Sequence, residues 1–137
     1  MKKYRNDPKL RLSILLWLMA VHSFLVGTGL IIQVPKLMEL FGFHSVHEHF
    51  FPAQGGIFHI VMAFGYALAA SDSVRFRCLI LFFIFVKAVA TLFLLFYFVF
   101  IDGILTILIS GIGDGVFCVI LYLSSISYDK HLKIKTG

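Results

Sequence analysis

Apolar residues run almost unbroken along this chain, and the breaks between the runs organise it. Asn6 and Asp7 stand before Pro8, a helix start in which Asp7 caps free N–H groups and Pro8 suits the first turn. The apolar run behind them predicts a first helix over about residues 8–33, stopped by Pro35. In PKLMELFGF, Leu37, Leu40 and Phe41 fall on one side of a short helix that Gly42 ends, the pattern of a segment lying on a membrane surface. The loop HSVHEHFFP follows. A second long helix is expected over about 53–70, then the polar turn SDSVRFR and a third helix over about 76–100. Asp102 and Gly103 make a tight turn before a fourth helix over about 104–127, and YDKHLKIKTG reads as a frayed basic tail. No fixed-period repeat or low-complexity linker interrupts this order, so residues 1–137 read as one four-helix transmembrane domain.

Composition makes the setting a bilayer. With 60% hydrophobic and 14% charged residues, the chain is too apolar for a soluble domain of its size. About 20 apolar residues cross a bilayer, so four crossings use nearly all of it. The expected fold is an all-α integral membrane protein, a four-helix bundle with a short interfacial helix after the first span. Basic residues fall in three groups: Lys2, Lys3, Arg5, Lys9 and Arg11 first, then Arg75 and Arg77, then Lys130, Lys133 and Lys135. The alternate loops hold only Lys36, so the positive-inside rule puts both termini in the cytoplasm. The net charge of +5 then follows from topology, with no nucleic-acid partner implied. The basic start resembles a signal peptide, but the apolar run continues through Ile32 without a small-x-small site, so the segment is read as retained. Cys78 and Cys118 follow no metal or redox spacing and read as packing residues.

Against this background one residue is out of place. LILFFIFVKAVATLFLLFYFVF, residues 79–100, holds a single lysine, Lys87. A charge at mid-membrane costs roughly 2.5–3.5 kcal/mol on insertion scales, so it calls for a buried partner. The fourth helix offers Asp114 in SGIGDGVF. By helix rise the two lie about 20 Å and 15 Å from the outer ends of antiparallel neighbours, a gap that a lysine stem covers. Gly111, Gly113 and Gly115 strip bulk from around Asp114 and admit a close neighbour.

At four-residue steps Thr106, Ser110, Asp114, Cys118 and Tyr122 form a polar stripe, and Thr91 lies one turn from Lys87. Gly55, His59, Met62 and Tyr66 share one face of the second helix, and His22, Val26, Gly29 and Gln33 one face of the first. Such faces predict a polar bundle interior, with Lys87 and Asp114 at its centre and His22, His59, Tyr66, Thr91 and Ser110 lining a pocket.

That interior admits several uses. The Lys–Asp pair can simply fix helix register, can bind a polar headgroup, quinone or small solute, or can line a proton or ion path. His22 and His59 suit hydrogen-bonded core positions. As axial haem ligands they are unattractive, since helix rise puts them roughly 17 Å and 9 Å below the outer surface. His44, His47, Glu48 and His49 have donor types that suit zinc or copper, but their spacing matches no defined zinc motif and the loop is read as solvated. SGIGDG lacks phosphate-binding spacing.

The succession PKLMELFG, FPAQGGIFHIVMAFGYALAASDSVRFR, a lysine in the third helix and an aspartate in the fourth resembles the small four-helix bacterial membrane proteins grouped as DoxX-like and BphX-like. The resemblance implies a four-helix bundle with a polar interior, in a bacterial cytoplasmic membrane. DoxX-like proteins are associated with membrane oxidoreductases and quinone-linked respiration. No family catalytic residue can be carried over, and the histidine-rich loop is not a family feature.

The leading expectation is a non-catalytic accessory subunit of a larger membrane complex linked to electron transfer or quinones. Small size, the near absence of extramembrane segments and an aromatic outer surface on the third helix (Phe82, Phe83, Phe85, Phe93, Phe96, Phe98) motivate it. Its partners are then the bilayer and other membrane subunits or further copies of the chain. The alternative is a free-standing binder or carrier of a lipid-like, quinone-like or small polar ligand, with bound lipid or quinone in place of a resident cofactor. Third comes an oxidoreductase component in which Asp114, His59 and His22 serve acid–base chemistry, although no nucleophile stands at a recognisable spacing from a base.

Overall fold

A computed structural model describes residues 7–43 and 49–136. Among them the order is α1 (Pro8–Ile32), α2 (Pro35–Leu40), α3 (Phe50–Ser71), α4 (Arg77–Phe100) and α5 (Leu105–Thr136), with no strand. The four long helices are each long and apolar enough to cross a membrane, and the chain is a multi-pass membrane protein in which lipid surrounds the bundle. Asp7 caps α1 by accepting a hydrogen bond from the Lys9 N–H at 2.9 Å, with Pro8 in the first turn. Gln33 ends α1 in the left-handed conformation, φ 48°, and its N–H returns to the Gly29 carbonyl.

At the end of α2, Gly42 takes φ +83°, a conformation in which glycine avoids the steric penalty of a Cβ. Its N–H bonds to the Glu39 carbonyl and that of Phe43 to Met38, a Schellman closure. The Thr106 hydroxyl then donates to the Phe41 carbonyl at 2.6 Å, fastening this segment to the start of α5.

Consecutive long helices are antiparallel, and α1 packs on α3, α3 on α4, α4 on α5 and α5 on α1, so the bundle closes as a ring. Packing is dense within the hairpins α1–α3 and α4–α5 and thin between α3 and α4. A Cβ on Gly27 would lie 2.7 Å from the Gly56 carbonyl oxygen, and one on Gly56 2.6 Å from the Gly27 oxygen. The two backbones therefore touch, which only glycines allow. In lipid, where apolar contact with a neighbour gains little over contact with acyl chains, such close approach is what binds helices together. The sequence-based choice of Gly29 and Gly55 for these faces is off by one or two residues: Gly29 meets nothing and Gly55 only the tip of Leu30.

The fully buried apolar residues gather at the end of the bundle that carries Asp7 and the last turns of α5. Leu12, Leu16 and Met19 meet Tyr66, Ile80, Phe83 and Leu121 there. Phe83, expected on the outer surface of its helix, is 2% exposed, because Gly65 leaves room for its ring to pack 4.3 Å from Tyr66. Two boundaries also differ from expectation. α3 begins three residues early, since Pro52 is tolerated in a first turn. α5 continues to Thr136, where a frayed tail was expected. Its extra turns are held by Tyr128, which is buried, and by a two-pronged ion pair between Asp129 and Arg77 at the start of α4.

The glycine contact is directly testable by thermal unfolding in mild detergent. Gly27→Ala and Gly56→Ala should each lower stability by about 1–3 kcal/mol. Gly29→Ala, entering open space, should leave it unchanged or slightly higher.

Candidate functional site

On α4 the inward residues are Ile80, Phe83 and Lys87, spaced three and four apart. Lys87 therefore continues the apolar face that packs the core, and its stem is buried like any other side chain there. Its ammonium forms an ion pair with Asp114 Oδ1, with the side chains 8% and 15% exposed. The ring of Phe117 lies 5.7 Å from the same nitrogen and shields it further. Gly111, about one turn before Asp114, and Gly115, next to it, let α5 approach α4: added Cβ atoms would meet Leu94 Cβ at 3.1 Å and Thr91 Cγ2 at 3.2 Å. Gly113 differs, for it faces open space. Thr91 returns its hydroxyl to the Lys87 carbonyl at 2.8 Å, serving the helix rather than the pair.

Two cavities flank the carboxylate. One, of about 270 Å³, lies at the thin α3–α4 seam and is lined by Tyr66, Phe58, Phe93 and Lys87 among others. The second, of about 420 Å³, lies towards the α1–α5 seam and is lined by His22, Val26, Thr106, Ser110, Gly113 and Phe117, with Phe43 among its other lining residues. His59, Leu94 and Asp114 line both. A third cavity, of about 180 Å³ and lined by Pro8, Arg11, Leu123, Ser124 and Ser127, lies at the other end of the bundle, away from the ion pair.

Of the residues expected to line a pocket, Thr91 lines neither cavity, and the others are brought together in unequal roles. Asp114, His59, His22 and Ser110 reach the larger cavity, while Tyr66 and Lys87 reach the smaller. The stripe on α5 does not hold over its full length, since four-residue steps drift about 40° each around a helix. Cys118 Sγ points to the Ile84 carbonyl at 3.5 Å, and Tyr122 ends 53% exposed. Gln33, expected on the polar face of α1, instead caps the helix and bonds through its amide to the His49 carbonyl and ring.

The expected difference in depth between His22 and His59 is also corrected. Ser23, next to His22, donates to the His59 carbonyl at 2.9 Å, so the two histidines stand at similar depth. The early start of α3 accounts for most of the change, adding about 4.5 Å to the depth of His59. Of the histidine-rich loop, His44, His47 and Glu48 lie outside the described residues, and His49 Nδ1 is 2.8 Å from Gln33 Oε1. Among the described residues no group of three or more His, Cys, Asp or Glu side chains is placed to hold a metal ion.

Sequence reasoning missed the Ser23–His59 link, the Gly27–Gly56 contact and the Arg77–Asp129 pair. Ser23 and Gly27, two small residues four apart, carried the signal for the first two. Comparisons with known protein families, curated proteins and solved structures returned no match.

The ion pair gives a sharp stability test. Lys87→Met alone and Asp114→Asn alone should each cost about 3–5 kcal/mol in detergent, because each strands a buried charge. The double variant should lose less than either. The coupling should far exceed the roughly 0.5 kcal/mol expected of independent sites, and additive losses would show that the pair is not a unit.

Proposed function

We propose that this protein is a membrane-resident binder or carrier of a lipid-like or quinone-like molecule whose polar head lodges beside Lys87 and Asp114. One observation carries the reading. The ring nitrogens of His22, Nε2 of His59, Oδ2 of Asp114 and the Ser110 hydroxyl have no hydrogen-bond partner among the described residues, and all four side chains line the 420 Å³ cavity. None of these atoms is sealed away, His22 and Ser110 being exposed and His59 and Asp114 half-buried, so each is free to meet the polar head of a molecule that enters. A cluster of four is better explained by a ligand than by packing. Register alone would need only the ion pair.

A second reading, an accessory subunit of a larger complex linked to electron transfer, is favoured by the exposed aromatic rings of Phe82, Phe85, Phe93 and Phe96 on α4. The resemblance to DoxX-like proteins belongs with it and supplies the quinone link. Native mass spectrometry from mild detergent separates the two. The binder reading expects a lone chain with a retained small molecule, and the subunit reading expects stoichiometric partner chains. Gly113→Leu sharpens the result, because it fills the cavity from a position with open space around it. It should abolish retention of the small molecule while leaving thermal stability within about 0.5 kcal/mol of the parent.

For topology we propose a bacterial cytoplasmic membrane, both termini inside and α2 at the outer surface. Lys9, Arg11, Arg75, Arg77 and Lys130 share the end of the bundle that carries Asp7, which supports this orientation. Reporter fusions after Gly137 should read cytoplasmic and those at Ser45 external. One compartment for both would refute the arrangement.

A further inference from the structure

The hydrogen bonds around His59 fix which of its nitrogens faces the cavity as an acceptor. Ser23 has one hydroxyl hydrogen, and its Oγ lies 2.9 Å from the His59 carbonyl, which can only accept. That hydrogen is therefore spent. The same Oγ is 3.2 Å from His59 Nδ1 and can there only accept, so Nδ1 carries the ring proton. In the neutral ring Nε2 then holds a lone pair, and Nε2 has no partner among the described residues. Asp114 is in the same position one helix away. Its Oδ1 is taken by Lys87 and its Oδ2 is open. Both side chains line both cavities. The site therefore offers two acceptors, Asp114 Oδ2 and His59 Nε2, beside donors at Ser110 and on the His22 ring, and suits a head that both gives and takes a hydrogen bond.

Charge narrows the donor further. Lys87 and Asp114 already cancel, so an ammonium head would set a second cation beside Lys87 against a single carboxylate, at short range and low dielectric. An anionic head would face Asp114 Oδ2 and would have to draw Lys87 away from its buried partner. A neutral hydroxyl avoids both. It can donate to Asp114 or His59 and still accept from Ser110, whose hydroxyl lines the larger cavity. We propose, resting on the binder reading above, that Asp114 Oδ2 and His59 Nε2 select a neutral hydroxyl-headed amphiphile, a long-chain or polycyclic alcohol. Its apolar body lies in the larger cavity and leaves it towards the α1–α5 seam, past Leu30 and Ile109.

The test uses the full chain in lipid nanodiscs carrying radiolabelled 1-hexadecanol, with unlabelled competitors of the same chain length: the alcohol, its methyl ether, the amine and the sulfate. The alcohol should compete at least about tenfold better than the ether, which keeps the oxygen but has no hydrogen to give. It should also outdo the amine and the sulfate. Gly113→Leu should remove the retained label. Ser23→Ala, which releases the His59 tautomer, should shrink the alcohol-to-ether ratio. If the ether matches the alcohol, or the amine or sulfate exceeds it, while Gly113→Leu still removes the label, the hydroxyl inference falls and the binder reading stands. If no label sensitive to Gly113→Leu is retained, both fall.

Discussion

A cation in the middle of a hydrocarbon layer has to be met by an anion on a neighbouring helix, and the geometry of this bundle follows from where that happens. Lys87 is on the inward face of α4 because the spacing of Ile80 and Phe83 puts it there. Asp114 can reach it because Gly111 and Gly115 let α5 lie close. Arg77 and Asp129 hold the same two helices at the other end of the hairpin, in a more exposed setting where an ion pair contributes much less. The central pair is the one whose loss leaves a charge with nowhere to go.

Meeting that charge costs the bundle part of its packing. Where the polar groups gather, side chains cannot close the middle, and the two cavities open on either side of Asp114. The fully buried leucine, methionine and aromatic side chains gather towards the opposite end. At the depth of the cavities the α1–α3 contact is made by backbone, because Gly27 and Gly56 bring the two helices together without side chains between them.

The spans, their order and the Lys87–Asp114 pair were legible in the sequence, because each rests on strong local rules: apolar length, proline and glycine stops, and the cost of an unpaired charge. What was not legible depends on rotation and on partners distant in sequence. Whether Gly55 or Gly56 meets α1 turns on about 100° of helix phase, which a polar face on a largely apolar helix defines poorly. Phe83 reads like its aromatic neighbours until Gly65, on another helix, makes space for it. The last turns of α5 look like tail until Asp129 finds Arg77, a contact between residues 52 positions apart. His59 acquires a definite tautomer only once Ser23 is beside it.

The placement of the lysine also bears on how the chain enters the membrane. During synthesis α4 leaves the ribosome before α5, so Lys87 reaches the bilayer before Asp114, which follows 27 residues behind it. α4 is the most apolar of the four spans, with a mean hydropathy of 2.7. That surplus outweighs the roughly 2.5–3.5 kcal/mol that one unpaired lysine costs at insertion. The aspartate sits on the later and less apolar α5, with a mean hydropathy of 2.0, and it arrives to find its counter-ion already in place. The dense phenylalanine content of α4 thus has a role in biogenesis: it carries a charge across the lipid until the next helix can neutralise it.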